Sequence, residues 1–453
     1  MKKSFSPKLT APQLILLAFF SLIIIGSLLL WLPISSADGR SVSFTDAFFT
    51  SATSVCVTGL VTLPTVSAWS VFGKIVILFL IQIGGLGVIT VMAELMILVH
   101  RKIGIADRML IQDSFNLNTM SGIVKFTKKV VFGTLAVESV GALLYMTVFV
   151  PDFGIKGVWY SVFNSVSAFC NAGIDIISEN SLCGYALNPI INIVTCLLII
   201  LGGIGYIVWW DVVRVIKKRT KQRIKLWSSL TLHSKIALFT TAVLIVTGTV
   251  CFYIFEYGNP ETMKGLPVWD KILLSLFQSV TTRTAGFATV PQQNLTVPSS
   301  ILSLLLMFIG GSPVGTAGGI KTVTFAVLAA SAVSVIKNKN DVNMFGRRIS
   351  ISAVRKASAV AAVSFIIAFI SSLLLSCVTS APALDIFYET VSATATVGLS
   401  RNLTSSLNTA GKLIIAFTMY LGRVGPISLA LAITGKTKNE NIVKNPFEEI
   451  SIG

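Results

Sequence analysis

Four short stretches carry the residue types that can handle a bare cation. They read TSVCVTGL (Thr53–Leu60), SAFCNAGI (Ser167–Ile174), TTRTAGFAT (Thr281–Thr289) and SATATVGLS (Ser392–Ser400). Each runs small hydroxyl, amide or alanine side chains into one glycine. These are Gly59, Gly173, Gly286 and Gly398, spaced by 114, 113 and 112 residues. Glycine takes backbone angles closed to other residues, and rings of peptide carbonyls can replace the hydration shell of a monovalent cation. None of the four stretches holds an acid, which argues against a carboxylate ring selective for divalent ions. Other chemistries have little support. There are two histidines, His100 and His233, and six cysteines without CxxC spacing, so no metal centre is expected. No Walker or GxGxxG-plus-acid pattern appears, so nucleotide binding in this chain is not expected. No catalytic triad pattern or acidic pair suggests a membrane-embedded enzyme.

The elements that must position these stretches are membrane spans. The chain has 453 residues, 53% hydrophobic and 12% charged, against about 25% charged in soluble proteins. A bilayer core needs ~20 apolar residues in a helix. Eight such runs cover about 13–33, 72–99, 128–150, 189–216, 234–256, 299–336, 353–379 and 411–435. The first, Leu14–Leu32, is too long for a signal-peptide core and is expected to stay as a span. Shorter segments at about 44–54, 157–168, 269–281 and 385–394 precede the four glycines. A helix of that length covers about half the ~30 Å core, so it must enter and leave on one side. Each contains a phenylalanine: Phe49, Phe163, Phe277 and Phe387. Lys and Arg concentrate near 100–129, 214–235 and 337–356, so these loops and both termini are expected on the cytoplasmic side. The half-length segments then dip in from outside.

A second marker repeats in register. GGLG (Gly84–Gly87), GGIG (Gly202–Gly205), GGSP (Gly310–Pro313) and GRVG (Gly422–Gly425) begin 25, 29, 24 and 24 residues after their anchor glycines. Such glycines read as close helix packing. Each unit is a span, a dip with its return, and a second span (M1-P-M2). The expected fold is an all-α polytopic membrane protein, with four parallel repeats, eight spans and four re-entrant pore helices around a pseudo-fourfold central pore. The repeats divide as 1–100, 101–220, 221–340 and 341–453.

With these markers the chain resembles a KtrB-type subunit of the Trk/Ktr/HKT potassium transporter superfamily over nearly its whole length. The resemblance implies potassium uptake, often sodium-dependent, by a homodimeric subunit in a bacterial plasma membrane. K+, and Na+ as a coupling ion, are then the ions handled. Matching filter positions are Val57, Thr58, Gly59, Asn171, Ala172, Gly173, Thr284, Ala285, Gly286, Thr396, Val397 and Gly398. One glycine per loop, where TVGYG potassium channels have two, suggests fewer sites and weaker rejection of sodium. The resemblance also implies a separate cytosolic ring of nucleotide-binding (RCK/KTN-type) subunits, docked on the basic loops or the C-terminal KNPFEEISIG.

Two departures from fourfold symmetry suggest a gate. Arg423 replaces the second marker glycine, and a charge within a span usually faces the bundle interior. Counted from residue 411 at ~1.5 Å per residue, it lies ~18 Å below the outer edge, beneath the filter. Gly310, Gly311, Pro313, Gly315, Gly318 and Gly319 crowd the sixth span and should break it. In the resembling family this segment is an intramembrane loop and the arginine part of the gate, so Gly310–Lys321 is expected to gate with Arg423. Arg283 is expected to point away from the pore and pair with an acid such as Glu389. Glu94 and Glu138 lie inside spans, where they could pair or bind a coupling ion. The competing reading is the translocating subunit of an ATP-driven potassium pump.

Overall fold

The computed structural model describes residues 10–87, 90, 123–222, 225–425 and 429. Glu94, His100, the loop to residue 122, the two terminal segments and the far halves of the second and eighth runs lie outside the described residues. Among the described residues four helices are each long and apolar enough to cross a membrane: α1 (Ala11–Trp31), α5 (Ile123–Phe153), α10 (Leu232–Glu256) and α14 (Ile351–Ser376). No more than 33% of the apolar window in any of them is buried. Their outward faces carry residues such as Ile25, Phe132, Val246 and Phe365, and such a surface belongs in lipid.

Each long helix is followed by a half-length one: α2 (Phe44–Cys56), α6 (Ile155–Phe169), α11 (Val268–Thr281) and α15 (Ala383–Ala395). They have 13, 15, 14 and 13 residues, so they are re-entrant pore helices as the run lengths require. The expected aromatic anchor is fully buried in three of them, at Phe49, Phe163 and Phe277. In the fourth it is not Phe387, which is 41% exposed, but its neighbour Tyr388, whose hydroxyl donates to Gln292 Oε1 at 2.9 Å. Two adjacent aromatics fit the pattern equally well in sequence, and only the helix phase separates them.

After a return segment, which includes the short α3 (Thr65–Ala68) in the first repeat, each unit re-enters a helix: α4 (Val71–Leu86), α7 (Pro189–Gly203), α12 (Val297–Phe308) and α16 (Thr409–Val424). Every one starts at a side-chain cap, from Ser70, Asn188, Thr296 and Asn408. Each cap satisfies an orphan N–H and is worth about 1 kcal/mol. These caps form a fourfold marker that the glycine patterns had overshadowed.

The second helices do not run through. A break was expected only in the third repeat, but the seventh helix also stops at the marker. There α7 meets α8 (Tyr206–Gln222) at a bend of 96°. The last marker glycine has φ +87° at Gly87, +90° at Gly205 and +87° at Gly425, and α4 and α16 end at the first and last of these. Gly87 and Gly425 combine that φ with ψ near 130° and 145°, a region reserved for glycine. The continuous span expected over 189–216 is therefore a broken one, and the run over 299–336 is broken where its glycines predict. In the third repeat α13 (Thr322–Ile336) resumes after the loop, and a hairpin of β1 (Asn343–Met344) and β2 (Arg347–Arg348) leads to α14. The short α9 (Leu226–Ser229) precedes α10.

The four units close into a ring. Each pore helix packs on the second helix of the preceding unit: α6 on α4, α11 on α7, α15 on α12 and α2 on α16. The last pair joins the two ends of the chain. Lys412 Nζ bridges to Asp46 Oδ1 at 2.6 Å, and Tyr420 donates to Leu16 O at 2.9 Å across the same seam.

Candidate ion pathway

The four glycine loops share one backbone pattern. Val57, Asn171, Thr284 and Thr396 have φ of +54°, +60°, +69° and +50°. Two residues on, Gly59, Gly173, Gly286 and Gly398 have φ of +98°, +65°, +78° and +96°. Alternating left-handed residues turn successive carbonyls to one side of the strand. The loops also face one another. A Cβ on Gly59 would drive into the carbonyl of Ala172, on Gly173 into that of Ala285, and on Gly398 into that of Thr58. On Gly286 it would lie 2.6 Å from the Val397 carbonyl. Each glycine thus abuts the residue before the next glycine, in chain order, and the circuit closes. No side chain fits any of the four positions without moving backbone.

Each loop is held from behind by a hydroxyl of its own pore helix. Thr53 Oγ1 accepts from Gly59 N at 2.9 Å and Ser392 Oγ from Gly398 N at 3.0 Å. Ser167 Oγ donates to Ile174 O and Thr281 Oγ1 to Phe287 O, both at 2.5 Å. The third loop is one residue tighter: Ala285 N reaches Thr281 O, whereas the other three loops close five residues back. One turn before each hydroxyl sits a buried polar residue: Thr50, Asn164, Gln278 or Glu389. Glu389 accepts from Ser400 Oγ at 2.7 Å and from Thr404 Oγ1. The pore-helix C-termini end at the loops, and their partial negative charge favours a cation there.

Polar atoms of the loops lack protein partners. Thr58 Oγ1, Thr284 Oγ1, Thr396 Oγ1 and Asn171 Nδ2 are buried without a protein partner. A buried polar group without a partner costs free energy, and the three hydroxyl oxygens can serve a desolvated cation. Asp175 follows the second loop in the chain, and its Oδ1 accepts from the amides of Ile177 and Ser178 at 3.1 and 3.3 Å. Burial pushes its carboxyl up to about 6, against the pull of those amides.

Beneath the loops lies the segment Gly310–Lys321. Thr316 Oγ1 donates to Phe169 O at 3.1 Å and Asn171 Oδ1 at 3.3 Å. A Cβ on Gly310 would lie 3.0 Å from Thr284 Cγ2, and one on Gly318 would be 2.5 Å from Ala395 O and strike Thr396 Oγ1. Gly311 and Gly315 pack on Gly203 and Gly202, and Gly319 has φ +64°. The segment therefore touches the lower residue of three of the four loops. It is tied to the break in the second repeat: Ser312 N donates to Gly203 O, Thr316 N to Gly202 O, and Tyr206 N to Val314 O. The GGIG glycines pack closely, as expected, and they also supply the carbonyls that hold this segment.

Arg423 bridges three repeats. Its Nη1 donates to Thr316 O and its Nη2 to Gly84 O, so its partners are carbonyls, not a carboxylate. Lys321, unremarked in the sequence reading, donates to Ala317 O at 2.6 Å; a lysine closing a glycine-rich break was the available signal. Arg283 departs from expectation. It points away from the loop glycines, but Glu389 is not its partner. Its Nη2 faces Thr241 Oγ1 and Gly310 O, each at 3.4 Å. Among the described residues Glu138 pairs with no cation; it accepts from Gln82 Nε2 at 3.1 Å and faces Cys170 Sγ at 3.8 Å.

Re-entrant helices that bring peptide oxygens to a common centre within a lipid-facing shell define a membrane protein of the cation-translocating class. Residues 5–445 match the family described as "TrkH: Cation transport protein", and the chain belongs to that family. The family is one of transporters, not enzymes. The chain is 38% identical to "Ktr system potassium uptake protein B" of Bacillus subtilis (strain 168), over 98% of this chain and 97% of the relative. It is 37% identical to "Potassium/sodium uptake protein NtpJ" of Enterococcus hirae, covering 100% and 99%. The Vibrio alginolyticus "Ktr system potassium uptake protein B" is 34% identical, covering 98% and 95%. In architecture the chain resembles the crystal structure of the potassium transporter TrkH from Vibrio parahaemolyticus, with TM-score 0.73 and 18% identity over 96% of this chain and 86% of that one.

Proposed function

We propose that this chain takes potassium ions into a bacterial cell across its plasma membrane. The four loops around Gly59, Gly173, Gly286 and Gly398 act as the filter. Gly310–Lys321 acts with Arg423 as the gate. The observation that carries this reading is the closed circuit of glycine-to-carbonyl contacts, with free hydroxyl oxygens at its lower edge. It is supported by relatives named as potassium uptake proteins and by one named for potassium and sodium. On this reading sodium takes part in uptake, and both termini are cytoplasmic. The basic run Lys217, Lys218 and Arg219 at the end of α8 favours that orientation. A homodimer and a cytosolic ring of nucleotide-binding RCK/KTN-type subunits complete the working unit, and the four repeats part near residues 100, 220 and 340.

The test is rubidium uptake by a potassium-auxotrophic bacterium expressing the chain, with and without sodium, and by the purified protein in liposomes. Uptake without ATP separates this reading from the pump subunit. Gly286→Ser, whose Cβ would lie 2.6 Å from the Val397 carbonyl at φ +78°, is expected to keep ion flux and lose the preference for potassium over sodium. Absence of rubidium flux in both settings, with the protein correctly inserted, overturns the proposal.

A further inference from the structure

Arg283 is only 6% exposed, and it appears in none of the ion pairs formed among the described residues. An uncompensated buried guanidinium is costly, so its contacts call for an explanation. It stands two residues past the end of α11 and one residue before the filter residue Thr284. Its Nη2 lies 3.4 Å from both Thr241 Oγ1 on α10 and the carbonyl of Gly310, while its Nε has no protein partner. The Gly310 carbonyl stands just past the end of α12 at Phe308, where the break removes the helical N–H that would otherwise serve it. A small cavity, lined by Arg283, Thr241, Val280, Gly311, Gly203 and Ile204 among others, adjoins the group. It is of about one water's size.

The two guanidiniums that touch Gly310–Lys321 differ in kind. Arg423 reaches from the fourth repeat to Thr316 in the middle of the segment and to Gly84 in the first repeat. Those bonds must break when the segment moves. Arg283 holds the root of the segment, and its partners Thr241 and Gly310 all belong to its own repeat. That bond can persist through the movement.

We propose that Arg283 is a positioning residue that fixes the stationary end of the gate, supplying the donor the broken helix withdraws from Gly310, so that the segment returns to one closed position. This rests on the reading of Gly310–Lys321 as the gate. It assigns Arg283 to closure and not to ion selection, although it neighbours a filter residue.

The experiment measures rubidium flux into proteoliposomes holding the purified chain without regulator, together with the potassium-to-sodium ratio. Arg283→Gln is expected to raise this closed-state flux roughly tenfold, equivalent to about 1.4 kcal/mol, at an unchanged ion ratio. Arg283→Lys, which keeps a charged donor, should fall between the two. A chain with Ser312–Ile320 replaced by a short connection is the reference. If it leaks and Arg283→Gln does not, Arg283 has no such role and the gate stands. If neither leaks, the gate reading falls first. A changed ion ratio at wild-type closed flux would move Arg283 into the filter and overturn the proposal. Should Arg283→Gln fail to assemble, Thr241→Val removes the hydroxyl that the guanidinium faces; it should leak in the same direction, and wild-type closed flux there counts against the proposal.

Discussion

Gly318→Ala tests whether the segment beneath the loops is a gate. Gly318 is not among the left-handed glycines, so alanine is tolerated by its backbone. The added methyl, however, would lie 2.5 Å from the carbonyl of Ala395 and strike Thr396 Oγ1, against 3.4–4 Å for ordinary contact. Thr396 can rotate, but Ala395 O is backbone at the end of a pore helix that packs on α12, α14 and α16. Overpacking of this kind costs about 1–3 kcal/mol. The clash exists only while the segment lies against the fourth loop, so the penalty falls on the closed arrangement and spares any in which the segment has withdrawn. At 1.4 kcal/mol per decade, the balance shifts roughly 5- to 150-fold towards open. Rubidium flux in proteoliposomes lacking regulator should rise accordingly, with the potassium-to-sodium ratio preserved because Gly398 and its partners are untouched. Closed-state flux equal to wild type in a properly inserted Gly318→Ala protein would show that contact with the fourth loop does not limit conduction, and the reasoning would fail.

Arg423→Gln removes the charge but keeps a donor, so one of its two carbonyl contacts survives. A hydrogen bond from a charged group is worth about 1.5–3 kcal/mol, and the same flux assay should show a leak at least as large as that of Gly318→Ala. Asp175 gives a pH signature. Burial raises its folded pKa to about 6 from the ordinary 3.8, so the folded protein holds that proton more tightly than the unfolded chain. Its stabilising contribution is complete below about pH 4 and is lost as pH rises through about 6. Melting temperature in detergent should therefore fall across that window by more in wild type than in Asp175→Asn; parallel profiles would exclude Asp175 as the source.

Much of the site could be read along the chain. The four left-handed glycines and the half-length helices leading to them stand where pattern and length put them. Glycine-only backbone angles are local demands, and an apolar run too short to span must turn back whatever surrounds it. Other features escaped. Tyr388 and Phe387 are adjacent aromatics, and only the phase of α15 decides which is buried. GGIG read as packing, yet it is also a 96° break that offers Gly202 and Gly203 carbonyls to the segment Gly310–Lys321. Thr316, bonded at once to the second loop, the second repeat and Arg423, is an unremarkable threonine in sequence. Arg283 drew a carboxylate partner by charge logic, whereas its carbonyl exists as an acceptor only because α12 ends at Phe308.

The chain's own order of residues determined the kind of protein this is. Apolar run lengths set the spans, repeated glycines set where the backbone can turn, and loops without acids argued against a divalent ion, because each is a constraint on a few neighbouring residues. The tertiary structure decided the closure of the ring through α2 and α16, the carbonyl that each glycine meets, and the two cations that hold the segment below. Apart from those of Arg283, which stay within its own repeat, the glycine and Arg423 contacts join residues more than a hundred positions apart, and their partners are backbone carbonyls that every residue carries and no side-chain pattern can announce.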